Sequence, residues 1–387
     1  MSPQARPTRH QLLHSRRDFF KTVMGRALAG ASILEIAQYQ AAWAQALAPT
    51  ADPTLFEIRK AAEGVYQAFA KPNALLNSNG VIYVNSKEVI VVDSHSRPSS
   101  AASLVAQIKK EITDKPVRYL VDTHFHWDHS HGNATYEKLG AKIVASKTTQ
   151  RLMAETSASR VKGTLEPGGK VALGMASVPT LIDTAKGNLA KASSPADSDA
   201  LKIRLQQLDA YAAEMKNFSP TLPGVTFDKS YKIKDKDFDL LIQFNGRAHT
   251  AGDTQVYCPA RGTIATGDVA AAFMGDGYPK DWAKTLDTIM KLKFDLILPG
   301  HGPIQTDRTQ MMGMRNYVEE LTARVAAGKQ AGQSVADLQK TITIASLKSL
   351  ANGGDFLAIF GGRNTPAQTQ TGINNNILHM YDRLDLK

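Results

Sequence analysis

The chain has 387 residues, of which 43% are hydrophobic, and it carries a formal net charge of +10. It is long enough to bury a large core, either as one large domain or as one domain with an insertion, and its basic residues form no cluster interleaved with aromatic side chains, so nucleic acid is not an expected partner. The single cysteine, Cys258, excludes a disulfide framework within one chain, and its apolar neighbours in the sequence are typical of a buried structural thiol.

The N-terminal 46 residues are predicted to be a twin-arginine signal peptide. Arg16 and Arg17 precede two aromatic residues and an alanine-rich stretch that ends in small-residue cleavage patterns, and this stretch is too short and too polar for a convincing membrane span. We therefore expect export through the twin-arginine machinery to a bacterial periplasm, with no stable membrane span after the signal is removed. A cytosolic amphipathic helix is the alternative. Six basic and two acidic residues leave with this segment, so +6 of the +10 stays on the mature chain.

After the signal, the sequence predicts a meander of strands that passes into alternating strands and helices. Strands are expected at 65–69, 81–84, 89–92, 117–121 and 143–144, and helices at 99–112 and 132–139. The third of these strands ends at Asp93, and the fourth leads directly into a run of histidines.

The segment from His124 to His129, with the sequence HFHWDH, is the most informative in the chain. In an extended segment that leaves a strand, side chains two positions apart point the same way, so His124 and His126 can converge on one cation. A turn into a helix would bring Asp128 and His129 to face the same space. Neutral imidazole is a common zinc ligand, and a nearby carboxylate can bind a metal or orient a water molecule. A cluster of surface histidines is the alternative, yet four of the ten histidines lie between positions 124 and 131.

Residues 147–222 interrupt the alternation of strands and helices. They are rich in Ala, Ser, Lys and Gly and contain one amphipathic segment, in which apolar residues recur every three to four positions from Leu201 to Met215. We expect a helical insertion beside the metal pocket, which acts either as a catalytic lid or as a structural elaboration or oligomer contact.

The strand rhythm resumes at residue 225. Strands are expected at 225–227, 231–233, 238–244, 254–257, 263–265 and 294–298, and helices at 282–292, 309–327 and 334–351. Two successive halves, each a meander followed by helices, predict two sheets sandwiched between helices.

Four further short motifs each follow a predicted strand and are flanked by glycine or other small residues. They contain Asp93 and His95, then His249, Asp268 and His301. Glycine next to a strand end lets the backbone turn sharply, so several such loops can meet at one rim of the fold. A buried, hydrogen-bonded histidine is the alternative for His249, and a helix N-cap is the alternative for Asp268.

With these motifs in this order, the chain resembles the metallo-beta-lactamase-fold hydrolases over most of residues 65–305. The resemblance implies an α/β fold, namely a four-layer αββα sandwich with a metal centre at the sheet edges. The domain would cover 47–387, with the helical insertion at about 147–222 and a C-terminal helical extension at about 306–387.

The resemblance also implies ligands for two metal ions. The first ion would be held by His124, His126 and His249, the second by Asp128, His129 and His301, and both would be bridged by Asp268. Asp93 would support the ligands without binding a metal, whereas His95 and His131 stay open between such a role and surface placement. Two residues favour the glyoxalase-like dinuclear arrangement over a dedicated antibiotic hydrolase. Position 268 is aspartate, where the true zinc beta-lactamases have cysteine, and His129 is a ligand-type residue.

The nitrogen and oxygen ligand set predicts two Zn²⁺ per chain, with Fe or Mn as further options. The predicted function is an exported zinc hydrolase in which a metal-bridging hydroxide cleaves an ester, thioester, lactone or amide-type bond of a small molecule. Asp128 is the predicted catalytic residue, since it would orient this hydroxide together with Asp268. Cleavage of beta-lactams is compatible with the resemblance but is not the expected natural role.

Two alternatives to a zinc hydrolase remain open. One is an iron-dependent oxidoreductase of the same fold that acts on sulfur compounds, and the other is a non-catalytic periplasmic metal-binding protein. The complete ligand sets for both ions disfavour a mononuclear iron centre. Ligands on rigid strand ends are also unlike the flexible His-rich tracts that metal carriers tend to use.

Overall fold

The computed structural model describes residues 55–71, 78–169, 176–236, 238–270, 273–350 and 365–386. The predicted signal peptide, residues 1–46, lies outside the described residues. Of the helices within the described ranges, none is long and apolar enough to cross a membrane.

The first half of the chain forms a sheet of seven described strands that are neighbours in chain order. They are β1 (Phe56–Ala62), β2 (Val65–Ala70), β3 (Gly80–Val84), β4 (Val89–Val92), β5 (Val117–Val121), β6 (Lys142–Ser146) and β7 (Val225–Phe227). The first four are antiparallel, whereas β4 to β7 run parallel. Parallel strands end at the same edge of a sheet, so the loops after β4, β5 and β6 begin side by side.

Helices that follow β4 and β5 cover the outer face of this sheet. They are α1 (Pro98–Glu111) and α3 (Asn133–Lys138), whereas the one-turn helix α2 (Trp127–Ser130) lies between β5 and α3 in the chain and has no residue in the core beneath them. Leu104 and Ile108 of α1 and Tyr136 of α3 are buried in one cluster with the strand residues Ile82 and Val91. The helical spacing of the apolar residues in α1 therefore marks the side that faces the core, as the sequence predicted.

Between β6 and β7 the chain leaves the sheet and forms three described helices. They are α4 (Lys147–Leu165), α5 (Val178–Leu189) and α6 (Pro195–Met215). The helices share a small core of their own, in which Val161, Leu208, Tyr211 and Met215 are buried. Only the C-terminal part of α6 was predicted. In α4 the buried positions alternate between polar and apolar residues (Thr149, Met153, Ser157 and Val161), and α5 buries only Val178 and Ala185, so neither helix buries a continuous apolar stripe.

The second sheet has five described strands, in the order β12-β11-β10-β9-β8. They are β8 (Ser230–Ile233), β9 (Leu240–Gln243), β10 (Gln255–Cys258), β11 (Thr263–Gly267) and β12 (Leu296–Pro299). Neighbouring strands are antiparallel except for β11 and β12, which are parallel. These two strands therefore end at the same edge.

Helices from the last third of the chain cover the outer face of the second sheet. They are α7 (Pro279–Ile289), α8 (Thr309–Gln330), α9 (Val335–Thr341) and α10 (Pro366–Arg383). Trp282 of α7, Tyr317 of α8 and Ile377 of α10 are buried with Ile264 and Ile297 of the sheet.

A third buried cluster joins the inner faces of the two sheets. Val121 and Val144 of the first sheet lie in it with Ile242 and Leu298 of the second, and Cys258 is buried there as expected. The layers thus run helix, sheet, sheet, helix, which confirms the predicted αββα sandwich.

The predicted helix over 334–351 is wrong in length. Helix α9 ends at Thr341, and the chain continues through short 3₁₀ turns at 344–346 and 348–350. The β-branched run that starts at Thr341 is a poor helix former, and Ile342 is extended, with φ −95° and ψ 94°. Strand β1 was not predicted, and helix α10 falls within the predicted C-terminal helical extension, 306–387, although its bounds were not predicted.

Candidate metal centre

The predicted site residues lie at one edge of the sandwich. Asp93 follows β4, the histidine segment follows β5, Asp268 follows β11 and His301 follows β12, so each comes from the carboxyl end of a strand. His249 lies in the loop that leads into β10, which runs antiparallel to β11 and therefore begins at this edge. The fold thus gathers residues that are up to 208 positions apart in the sequence, as from Asp93 to His301.

Three buried imidazoles form the first group of ligand-type side chains. The Nδ1 atom of His126 lies 3.0 Å from Nε2 of His124 and 3.0 Å from Nε2 of His249. Together the three nitrogens form a compact set that could hold a metal ion. This is the convergence of His124 and His126 that the i, i+2 spacing predicted.

The second group consists of Asp128, His129 and His301. Oδ2 of Asp128 lies 3.0 Å from Nε2 of His301 and 3.4 Å from Nε2 of His129. Asp128 and His129 are on the short helix α2, which directly follows His126, so the turn after β5 brings them to face the same space. These three residues also form a set that could hold a metal ion.

Asp268 lies between the two groups. Its Oδ2 atom is 3.6 Å from Nε2 of His249 in the first group and 3.4 Å from Nε2 of His301 in the second. Its Oδ1 atom is 3.4 Å from Nε2 of His129. This is the position that the predicted bridging role requires, although Asp268 also begins a 3₁₀ turn at 268–270.

The imidazoles are oriented by hydrogen bonds from the ring nitrogens that face away from the centre. Nδ1 of His249 donates to the carbonyl oxygen of Phe273 at 3.1 Å, and Nδ1 of His129 donates to Oδ2 of Asp93 at 2.7 Å. A proton on the outer nitrogen leaves the lone pair of the inner nitrogen directed into the centre. His124 follows the same pattern, with Thr123 as the partner of its outer nitrogen.

Asp93 and Thr123 form the support behind two of these rings. The hydroxyl of Thr123 donates to the Asp93 carboxylate at 2.9 Å and accepts from Nδ1 of His124 at 3.0 Å. Asp93 also accepts from the backbone N–H of Thr123 at 2.8 Å. Asp93 adopts φ 66°, a conformation that side chains rarely take, and such strain is typical of residues held for a functional reason. Burial raises the pKa of Asp93, although the nearby His129 opposes this effect.

Two imidazoles of the first group, those of His124 and His249, are held in the neutral form. Burial and the neighbouring imidazole of His126 lower the pKa of His249 to about 4. Burial and the imidazole of His129 lower the pKa of His124 well below its usual value. Neutral imidazole is the form that binds a metal ion, so these rings are ready to act as ligands at neutral pH.

The carboxylates of Asp128, in the second group, and of the bridging Asp268 are held in the charged form. Burial alone would raise the pKa of Asp128 and Asp268, but the imidazoles of His129 and His301 outweigh it and hold both pKa values well below the usual range. The same carboxylates, acting against burial, raise the pKa of His301 to about 10. A cation bound by this group would take the place of the protons that these imidazoles otherwise carry and would supply the same positive charge.

The donor atoms fit a pair of cations. Nε2 of His129 and Oδ1 of Asp268 are buried, and neither makes a hydrogen bond within the described part of the chain. Buried polar atoms without a partner are rare and call for an explanation such as a metal ion. The lone pairs of the first group also face one another across 3.0 Å, which is unfavourable unless a cation lies between them.

Two other predicted candidates lie away from these groups. The ring of His95 is buried against Phe56 with the ring centres 4.5 Å apart, and the ring of His131 is buried against Phe218 at 4.4 Å. Burial lowers the pKa of both histidines to about 3. The surface placement that was left open for them is therefore wrong, since aromatic packing removes both rings from solvent.

Sequence reasoning missed Asp276 and Arg160. Nε2 of His126 donates to Oδ2 of Asp276 at 2.9 Å, and the same oxygen accepts from Nη2 of Arg160 at 2.8 Å. Asp276 lies between Gly275 and Gly277, so the glycine-flanked aspartate resembled the other motifs and could have been noticed.

The helical insertion contacts the first layer next to this edge. Glu214, at the end of α6, accepts from the backbone N–H of Ser99 at 2.8 Å and from its hydroxyl at 2.6 Å. Arg97 lies 3.8 Å from the same carboxylate. No side chain of its own caps α1 at Arg97, so the insertion supplies the acceptor for the first turn of that helix.

The sequence matches known proteins at the level of a family. Residues 74–301 match the family model described as the Metallo-beta-lactamase superfamily. Among solved structures, the chain is similar to a metallo-beta-lactamase from Pontibacter korlensis, with 18% identity and a TM-score of 0.48, over 68% of this chain and 99% of that one. The metallo-beta-lactamase FIM-1 from Pseudomonas aeruginosa, in its mono-zinc form, shows 16% identity and a TM-score of 0.46, over 68% and 95%. The candidate metal groups support a metal-dependent hydrolase in the general sense. The family model covers more than half of the chain, so this protein belongs to the metallo-beta-lactamase superfamily.

Proposed function

We propose that this protein is an exported hydrolase that uses two Zn²⁺ ions to cleave an ester, thioester, lactone or amide-type bond of a small molecule. The observation that carries the proposal is the arrangement of seven ligand-type side chains at one edge of the sandwich, where the outer ring nitrogens of His124, His126, His129 and His249 are engaged in hydrogen bonds. The seven are His124, His126, Asp128, His129, His249, Asp268 and His301.

The chemistry of the donor set favours zinc. It consists of imidazole nitrogens and carboxylate oxygens without a thiolate, and such sets suit zinc, with iron or manganese as the next candidates. When bound, divalent cations here would lower the pKa of a water molecule to about 7 and so make hydroxide available at neutral pH.

Asp128 is the residue best placed to act on the nucleophile. Its carboxylate is nearly buried, its low pKa keeps it charged, and its Oδ2 atom lies 3.0 Å from Nε2 of His301. It would accept a hydrogen bond from the attacking water and fix its direction toward the substrate. Asp268 would do the same from the side of the first group.

The substrate would approach from the side of His301. The His301 side chain is 34% exposed, whereas the side chains of Asp128 and Asp268 are 11% and 9% exposed. The other four ligand-type histidines are buried, with at most 1% of their surface exposed to solvent. Water is thus excluded from most of the centre, which strengthens the electrostatic effect of the buried charges on the reaction.

A serine or cysteine nucleophile is not needed for this chemistry. Cys258 is buried in the core between the two sheets, where it is among apolar side chains. Burial raises the pKa of its thiol to about 11, so it is a poor nucleophile at neutral pH.

The proposal is tested by metal analysis and a substrate panel. Protein purified without added metal should contain two equivalents of zinc, and a chelator should abolish hydrolysis of thioester, lactone, ester or lactam substrates. His126→Ala and His249→Ala should lose metal and turnover together, whereas Glu57→Gln, an exposed residue of β1, should keep both. Wild-type turnover in a metal-free variant would refute the mechanism, and a stoichiometric iron content would favour the oxidoreductase alternative.

Export is the second part of the proposal and rests on the twin arginines of the N-terminal segment. Replacing Arg16 and Arg17 with Lys should block transport through the twin-arginine machinery, and the full chain should then accumulate in the cytoplasm of a bacterial host. A periplasmic location that is unchanged by this double substitution would contradict it.

A further inference from the structure

The loop between the turn at 268–270 and helix α7 touches two of the three imidazoles of the first group. The carbonyl oxygen of Phe273 accepts from Nδ1 of His249 at 3.1 Å. The Oδ2 atom of Asp276 accepts from Nε2 of His126 at 2.9 Å. Residues 273–278 of this loop, here called the support loop, therefore determine which nitrogen of each ring carries the proton.

The support loop is held from one side by the C-terminal helix. Arg383 of α10 donates through Nε to the carbonyl oxygen of Gly277 and through Nη2 to that of Asp276, both at 2.6 Å. Asn376 of the same helix accepts from the backbone N–H of Met274 at 3.0 Å. These contacts attach the loop to an element that lies outside the matched family region, 74–301.

The helical insertion holds the same loop from the other side. Nη2 of Arg160 on α4 donates to Oδ2 of Asp276 at 2.8 Å, and its guanidinium lies 4.7 Å from the ring centre of Phe125, the neighbour of His126. The side chains of Arg160 and Asp276 are only 22% and 27% exposed, so solvent screens this pair less than a surface ion pair. One carboxylate oxygen thus joins the insertion to a ligand-type imidazole.

We propose that Asp276 is a positioning residue for His126. The helical insertion holds Asp276 through Arg160, the C-terminal helix holds it through Arg383, and together they set the geometry of the first cation group. The inference rests on the proposed function, since it presumes a cation in that group. A carboxylate behind an imidazole ligand fixes its ring orientation and proton position and makes it a stronger donor to the cation. The insertion is on this view part of the metal centre's support.

The experiment compares three variants of the full chain. Asp276→Asn keeps the shape but removes the charge, and Arg160→Gln removes the cation that holds the carboxylate. Arg151→Gln is the matched control, because Arg151 lies on the same helix and pairs with Glu155 in an exposed ion pair. Zinc affinity is measured by competition with a chromophoric chelator, and the visible spectrum of the cobalt-loaded protein reports the geometry of the ligands independently of activity.

We expect Asp276→Asn to weaken zinc binding by about 10–100-fold and to change the cobalt spectrum. Arg160→Gln should change both in the same direction but by less, and Arg151→Gln should match the wild type. A wild type that binds no cation would refute the proposed function itself. A wild type that binds two cations, with Asp276→Asn and Arg160→Gln equal to it in affinity and spectrum, would overturn only the inference about Asp276. If Asp276→Asn fails to fold, Arg160→Gln decides.

Discussion

Gly300, directly after β12, has no room for a side chain, and replacing it with alanine disturbs the bridging position. A Cβ atom there would lie 2.3 Å from Oδ1 of Asp268 and 2.8 Å from Cε1 of His129. The backbone is held on both sides, because Gly300 N donates to Gly267 O at 2.9 Å and Gly300 O accepts from Asn79 N at 2.7 Å. The new methyl group must therefore displace the carboxylate rather than move away from it.

The size of the displacement follows from this distance. Non-bonded atoms pack at roughly 3.5 Å, so the Asp268 carboxylate must move by about 1 Å. A misplacement of that size costs on the order of 10²-fold in rate, and overpacking costs about 1–3 kcal/mol of stability. We therefore expect Gly300→Ala to fold, to lower kcat/KM about 100-fold and to lose zinc on dialysis.

The assay measures kcat/KM on the best substrate of the panel, zinc content after dialysis and urea unfolding. Gly187→Ala in α5 is the control, because a Cβ atom there meets nothing within 4 Å. Alanine at that position should leave activity unchanged and raise stability by up to about 1 kcal/mol. Wild-type turnover and zinc content in Gly300→Ala would refute the placement of Asp268 between the two groups.

Replacing Asp93 with Asn removes the charged acceptor for Nδ1–H of His129. Because this acceptor orients a ligand-type imidazole, we expect the affinity for the second cation to fall by about 10–100-fold, as measured by chelator competition. Glu214→Gln weakens the acceptor at the first turn of α1 and should lower the free energy of unfolding by about 0.5–2 kcal/mol, without changing zinc stoichiometry. Removing the metal with a chelator leaves the ring nitrogens of the first group facing one another, so the metal-free protein should unfold at a lower temperature in scanning calorimetry.

Each of these expectations has a contradicting result. Unchanged affinity in Asp93→Asn would mean that His129 keeps its orientation without the charged partner. A Glu214→Gln protein as stable as the wild type would show that solvent caps α1 equally well. Equal unfolding temperatures with and without metal would show that the facing histidines do not destabilise the metal-free protein.

The ligand-type residues could be predicted because the features that mark them are local. His124 and His126 are two positions apart at the end of a strand, and strand geometry turns both rings to one side. The sequence motifs of His249 and His301 are weaker, and only their order in the chain and their glycine-rich context connected them to the segment from His124 to His129. Their role as ligands stays a prediction, but the structure places them within 3.0 Å of His126 and Asp128, respectively.

The glycine-flanked motif of Asp276 is visible in the sequence, but its partners could not be predicted, because they depend on contacts between distant parts of the chain. Asp276 is 150 positions from His126 and 116 positions from Arg160, and no periodicity relates them. Helix α10 packs through Ile373, Ile377 and Met380, but its hold on the support loop depends on Arg383, whose partners are backbone carbonyls that the sequence does not identify.

The sequence by itself determined which side chains can bind a metal and that they lie at strand ends, because side-chain alternation and glycine turns are properties of a few neighbouring residues. Tertiary structure alone decided which nitrogen of each histidine faces the centre. That choice is made by the hydrogen-bond partner of the opposite nitrogen, and for His126, His129 and His249 this partner comes from a distant segment that only packing brings close.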